Sequence, residues 1–369
     1  MELNIRVPEL TRALHRVQGI VEKKTTKPVL ASVLIRTRGQ DRIAVSATDL
    51  EIALTGDYEA EVVKEGSITI GAKALYDIVR SLPEEHASLK RTANNWVEIV
   101  CGKVKYRLVA NSDEEFPKLP AFSDAAFFSV DAAVVRGMID KTLYAVSTDE
   151  TRYNLTGVYC EALAREAGLR MVATDGHRLS VVERTTPQAP IIKDGVIIPR
   201  KGLIELRKIL DDAGEDGRLA FVDNSAVFES SGLTLTMRLV DGRFPDYQQV
   251  IPTAFSRQIR LSRATLTQAL KRTSLLAPDK GQGVRFDLTE NTLSLTTNNP
   301  DLGEAREDID VAYEGEPLRI GFNVRYVMDA LSVITEENAV IELTDELSPG
   351  VFYGAGAEGY RAVVMPMRI

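Results

Sequence analysis

The 369-residue chain carries only two cysteines, three histidines and one tryptophan. Cys101 and Cys160 show no CxxC spacing, so the expectation is a buried, reduced thiol at each in a cytosolic protein. His15, His86 and His177 share no ligand spacing, and zinc needs three or four convergent N, S or O ligands. Neither a metal nor a cofactor is therefore expected. No run of ~18 apolar residues occurs, which excludes a membrane-spanning helix. The opening MELNIRVPEL lacks the apolar stretch of a secretory signal, and a cytoplasmic location follows as the expectation. Low-complexity tracts are missing too. Bulk basicity is missing as well, since the formal net charge is −8, which argues against a simple basic nucleic-acid binder.

What is present is a repeat. Thr48-Asp49 sits in VSATDLEIAL, Thr174-Asp175 in MVATDGHRLSVV and Thr297-Asn298 in LSLTTNNPDL, at steps of 126 and 123. Asp77, Glu205 and Asp329 recur in helix-like segments at steps of 128 and 124. Leu10, Val135 and Leu266 mark an earlier helix in each copy, and Phe116-Pro117 recurs as Phe244-Pro245. The unit is far longer than the ~20–50 residues of solenoid repeats. It has the length of a domain. Three domains are expected, spanning 1–125, 126–253 and 254–369, with proline-bearing linkers in FPKLPAFSDAAFF and FPDYQQVIPTAFS.

Each copy reads as short β-branched runs broken by Gly, Asn and Asp, with two helices. Examples are RIAVSATDLEIAL, LRMVATD and LSLTTN. The fold class expected is α+β with mainly antiparallel sheets. Helices are predicted over 8–20, 72–82, 131–143, 200–212, 262–272 and 323–332. These six segments hold 14 basic and 8 acidic side chains, so they are net positive in a net negative chain. Arg12 with Arg16, Lys73 with Arg80 and Arg200 with Arg207 stand at spacings that share a helical face. Charged helix faces are ordinarily just solvated. A bias confined to a repeated element has a second reading: if the copies close into a ring, equivalent helices line a basic hole that holds duplex DNA without reading bases.

Five strings occur in order: ATDGHRL (173–179), IPRKG (198–202), LVDGRFPDY (239–247), IGFNV (320–324) and VVMPMR (363–368). With the three-copy layout they make the chain resemble, end to end, the β sliding clamp family of bacterial DNA polymerase III. The resemblance implies a non-catalytic, nucleoid-associated processivity factor. It implies three clamp domains per subunit, closed as a head-to-tail homodimer ring around double-stranded DNA. Three repeats could close alone or as a dimer, and only the resemblance selects the dimer.

The resemblance also implies sites. A groove between the second and third domains would take short linear peptides of the polymerase III alpha subunit, the clamp-loader delta subunit, translesion polymerases and mismatch-repair proteins. Its matching positions are Leu155, Thr174, Gly176, His177, Arg178, Leu179, Pro245, Val250, Val363, Val364, Met365, Pro366 and Met367, with Arg368 at the rim. Gln249 departs from a basic residue common in the family. DNA contacts would come from Lys24, Arg80, Arg152, Tyr153, Arg200 and Lys201, although Asp149-Glu150 make the loop before Arg152 acidic and Asn154 replaces an aromatic. The dimer contact would use Tyr106 and Leu108 against Leu275 and Leu276, with Lys103 and Lys105 facing Asp301, Glu304 and Glu307.

Two other readings stay in view. A hydrolase using Ser180, His177 and Asp175 lacks a GxSxG elbow, and neighbours on one strand alternate faces. An oligomeric scaffold that touches no DNA would ignore the helical charge.

Overall fold

The computed structural model describes residues 1–22, 26–122, 124–192, 194–212, 216–277 and 282–368. Among them are six α-helices, two per copy: α1 (Val7–Val17), α2 (Ala72–Val79), α3 (Ala132–Thr142), α4 (Arg200–Asp212), α5 (Arg263–Thr273) and α6 (Val324–Ser332). Each follows directly on a short strand. In α1 the residues Leu10, Ala13, Leu14 and Val17 are buried, at the three- and four-residue spacing of one helical face. Asn323 caps α6, its Oδ1 accepting from the amides of Arg325 and Tyr326, and Ser262 caps α5 in the same manner. The first two helices end three residues before the sequence-based expectation. Gly19 and Pro83 lie just beyond them, and neither residue type continues a helix well.

The chain folds as two compact units, residues 1–133 with 201–239 and residues 134–200 with 240–369. The middle copy thus contributes to both. In the first unit α1 packs against α2. Thirteen strands form one sheet there, and Ile52–Glu59 of the first copy pairs antiparallel with Leu233–Arg238 of the middle copy. In the second unit α5 packs against α6. An eight-stranded sheet joins Arg178–Thr185 of the middle copy to Tyr360–Val364 of the third, and a separate four-stranded sheet ends at Gly303–Asp310. Sheet continuity is therefore what links successive copies. The strands alternate buried and half-buried side chains where one face is solvated, as in Trp96–Cys101.

The repeated Thr-Asp pair makes the same turn twice. In the first copy Asp49 Oδ1 accepts from the amides of Glu51 and Ile52, at 2.9 and 2.7 Å. Asp175 Oδ1 accepts from His177 and Arg178, at 2.9 and 3.1 Å. Thr48 and Thr174 each donate to the carbonyl four residues on. The run RIAVSATDLEIAL is consequently two strands, Arg42–Thr48 and Ile52–Glu59, rather than one. The turn needs a left-handed third residue, which is Gly176 (φ +90°) in the middle copy and Leu50 (φ +81°) in the first. In the third copy the equivalent turn residue is Asn299, whose Oδ1 accepts from Asp301 N at 3.0 Å. That is one residue later than Asn298.

Candidate partner groove and polymer-facing surfaces

The strand pair Arg178–Thr185 and Tyr360–Val364 sets the floor of the groove. Leu179 lies opposite Val363 and Arg178 opposite Val364. Leu155, Leu179 and Val363 are buried in one apolar cluster with Val172, Phe244 and Tyr247. Tyr159 stacks on Phe244 with centroids 5.0 Å apart. Above this floor the side chains are open: Gly176, His177, Pro245 and Arg368 are exposed, as are Val250 (39%) and Met365 (38%). The Met365 amide donates to His177 O at 2.9 Å, the last rung before Pro366. Proline has no amide to donate, and the chain turns so that Met367 N reaches Gly321 O at 2.9 Å. Met365 to Arg368 then line a cavity of about 590 Å3 with Ile320 and Leu347.

Two part-buried polar networks hold this floor. Arg178 sits among Asp175 (3.0 Å), Asp329 of α6 (2.5 Å) and the Tyr144 carbonyl (2.7 Å). Its guanidinium lies over the rings of Tyr144 and Tyr326. Burial works against the charge, but the Asp329 hydrogen bond and the Asp175 charge outweigh it and raise the Arg178 pKa. Arg178 was expected at the groove, and its side chain is only 11% exposed. The guanidinium is committed to the protein and orients the turn; it is not free to meet a ligand. Thr174 is likewise spent inside the turn. His177 is exposed, its ring stacked on Tyr326 at 6.2 Å.

The second network braces the linker. Arg170 donates to Glu161 (2.8 Å), Glu183 (2.6 Å) and Tyr247 (3.0 Å), and Tyr247 donates to Glu161 at 2.5 Å. Burial, with Glu161 accepting that proton, pushes the Tyr247 phenol up to about 12. Asp329, Tyr326, Tyr144 and Tyr247 were not singled out as site residues. Two of them carry a sequence signal: Asp329 recurs at the repeat step, and Tyr247 closes the string LVDGRFPDY.

Of the six DNA candidates, Lys24 lies outside the described residues. Arg80 is exposed beside Asp77 at 3.3 Å, and Arg152 lies 3.8 Å from Asp149. Tyr153 is 58% exposed. Arg200 is exposed at the start of α4. Lys201 is exposed too, yet it forms an ion pair with Asp49. Other helix cations also have acidic neighbours one turn away, including Arg12 with Glu9 and Lys208 with Glu205. An exposed pair such as Arg80 with Asp77 is worth ~0–1 kcal/mol, whereas the carboxylates that hold Lys201 and Lys208 are themselves buried.

The dimer candidates fall on or beside partly open strands. Tyr106 and Leu108 lie on Val104–Asn111, which pairs along one flank with Trp96–Cys101. Its other flank is paired, among the described residues, only at Ala110 and Asn111. Leu275 is 78% exposed in a short 3-10 turn next to Gly303–Asp310, the last strand of its sheet. Val109 (63%) and Leu302 (66%) are exposed on or beside these edges as well. Lys103, Lys105 and Arg107 mark one edge, and Glu304, Glu307, Asp308 and Asp310 the other. Glu307 is held by Arg272 at 2.5 Å. Both cysteines are buried and free. No helix among the described residues is long and apolar enough to cross a membrane.

Comparison with known proteins follows the repeat. The family models for the N-terminal, central and C-terminal domains of the DNA polymerase III beta subunit match residues 1–120, 129–246 and 248–368. The chain is 34% identical over 373 residues to the beta sliding clamp of Caulobacter vibrioides NA1000, and 32% identical over 370 residues to that of Escherichia coli K12. Both alignments cover 100% of each chain. The crystal structure of the C. crescentus beta sliding clamp with bound polyethylene glycol superimposes with a TM-score of 0.96 at 34% identity, covering 100% of this chain and 99% of that one. A Pseudomonas aeruginosa sliding clamp bound to griselimycin gives a TM-score of 0.94 at 33% identity over the whole of both chains.

Proposed function

The chain belongs to the DNA polymerase III beta subunit family, the beta sliding clamps, and from that premise we propose that two copies close head to tail around duplex DNA and tether partner proteins by short peptides. The beta subunit is a non-catalytic processivity factor: it holds, and the polymerase does the chemistry. The observation that carries the tethering role is the buried floor of Leu155, Leu179 and Val363 beneath an exposed rim of Val250 and Met365. An apolar anchor residue entering there loses water against a preformed surface, while a thioether rim adapts to different ligands. The polymerase alpha subunit, the clamp-loader delta subunit, translesion polymerases and mismatch-repair proteins are the partners proposed for this groove.

Ring closure joins the basic edge at Val104–Val109 to the acidic edge at Gly303–Asp310. Pairing would satisfy two open edges that otherwise invite aggregation. DNA is held by charge alone through Lys24, Arg80, Arg152, Arg200 and Lys201, with Tyr153 beside the duplex. Phosphate contacts carry no sequence information, which suits a ring that slides. The test is topological. Loaded onto nicked circular DNA the protein stays bound, and linearising that DNA releases it within the dead time of the assay. Equal loss from both forms would overturn the proposal.

A further inference from the structure

The chain has seven methionines, and burial sorts them. Met1, Met138, Met171 and Met237 are buried, and Met328 and Met367 are half-buried. Met365 alone among the seven is exposed, at 38%. It stands at the rim of the groove, where its amide donates to His177 O at 2.9 Å. The same residue lines the adjoining cavity of about 590 Å3, with Met367 and Leu347.

Exposure decides which thioether a dissolved peroxide reaches, and the product is a sulfoxide, polar and chiral where the thioether was apolar. The cysteines do not compete. Both are buried, and the thiolate is the reactive form of a thiol; burial pushes the Cys160 thiol up to about 12. Two surfaces of different chemistry adjoin Met365. One is the floor of Leu155, Leu179 and Val363, whose side chains have no donor for a sulfoxide oxygen. The other is the cavity, which Arg285, Arg319 and Arg368 line together with Glu346. Arg285 and Arg319 give their Nε atoms to Asp287, at 2.7 and 2.8 Å. The terminal nitrogens of a guanidinium carry further donors. An oxidised Met365 therefore finds partners on the cavity side and none on the floor.

We propose that Met365 is a redox modification site: a peroxide converts its thioether to the sulfoxide, and the groove then releases its apolar ligand. The sulfur lone pair attacks the outer oxygen of the peroxide, so an S–O bond forms as the O–O bond breaks. Sulfur gives up two electrons. The remaining oxygen takes the proton from the transferred one and leaves as water, or as an alcohol from an organic hydroperoxide. A dithiol reductase reverses the step: its thiols become a disulfide, and the sulfoxide oxygen leaves as water. An apolar anchor that covers the sulfoxide strips a strong acceptor of water without offering a donor, which opposes binding. The thioether is only a weak acceptor and carries no such penalty. The proposal rests on reading the groove as a peptide site.

The test uses the full chain, hydrogen peroxide and a fluorescent apolar pentapeptide carrying Leu and Phe. Mass spectrometry of proteolytic fragments over a peroxide time course should find Met365 oxidised first, ahead of Met367 and Met328. Peptide affinity should fall about tenfold as Met365 is oxidised, the scale of leaving one buried polar group without a hydrogen bond. It should return after treatment with methionine sulfoxide reductases for both sulfoxide epimers. In Met365→Leu, peroxide should leave the affinity at that variant's own untreated value. Met365→Gln, which places a polar group at the rim, should bind weakly without any oxidant. Another methionine oxidised first, an affinity unchanged by the Met365 sulfoxide, or an equal peroxide loss in Met365→Leu overturns the inference. An untreated chain that leaves the peptide unbound overturns the groove reading, and the switch falls with it; a bound peptide indifferent to oxidation overturns the switch alone.

Discussion

Arg178 carries more of the groove than its exposure suggests. Its guanidinium meets two carboxylates and a carbonyl in a planar fork, and an ammonium cannot match that geometry. Arg178→Ala strands Asp175 and Asp329 without their cation, so it should destabilise this unit by about 2 kcal/mol, the scale of hydrogen bonds to charged groups. The same change should weaken apolar-peptide binding, because the His177 turn loses its tie to α6. Arg178→Lys should restore only part of both. Denaturant unfolding and a peptide titration on the same variants check this. Tyr247 gives a pH prediction. Its folded pKa is about 12 against an ordinary 10, so its contribution to stability is complete below pH 10 and is lost as pH rises towards 12. Alkaline unfolding should lose that component in Tyr247→Phe. Neither role was legible in the sequence. Arg178 and Asp329 lie 151 positions apart, and a repeat step marks a position without naming its partner.

At the level of elements, the sequence was most informative where local chemistry decides. Both helices of each copy were legible from apolar spacing, and the Thr-Asp turn from its recurrence. Charge was less legible, because a count along a helix cannot see a partner on another copy. Lys201 is the case in point: it looked like a free cation, and Asp49 holds it. Lys201→Ala should therefore weaken DNA retention less than Arg200→Ala. The Arg200 change should lower the salt dependence of DNA binding by about one unit of slope, and retention measured across a salt series distinguishes the two. The C-terminal strand makes a separate prediction. Its strand pairing ends at Val364, and Met365 to Arg368 line a cavity with Ile320 and Leu347 and are proposed to line the partner groove. Deleting Met365–Ile369 should abolish polymerase stimulation and leave the oligomeric state unchanged, as read by primer extension and solution mass.

For the whole molecule, the repeat explains how one domain plan yields both sameness and difference. Antiparallel pairing joins the first copy to the middle one and the middle one to the third, through rungs of the same register. Among the described residues the third copy pairs onward to no further copy. Its turn shifts to Asn299, and its sheet ends at Gly303–Asp310 with acidic side chains along the edge. The open flank of Val104–Val109 bears Lys105 and Arg107. In the proposed dimer a second chain closes both edges, with exposed Leu275 set against Leu108 and Tyr106. An aspartate at either leucine would be buried at that contact without a cation, which costs several kcal/mol. Leu108→Asp with Leu275→Asp should therefore halve the solution mass and end retention on nicked circular DNA. Apolar-peptide binding should persist, because every groove residue belongs to one chain and one unit. A double variant that stays dimeric, or that loses the peptide together with the dimer, would refute this assignment of the two surfaces.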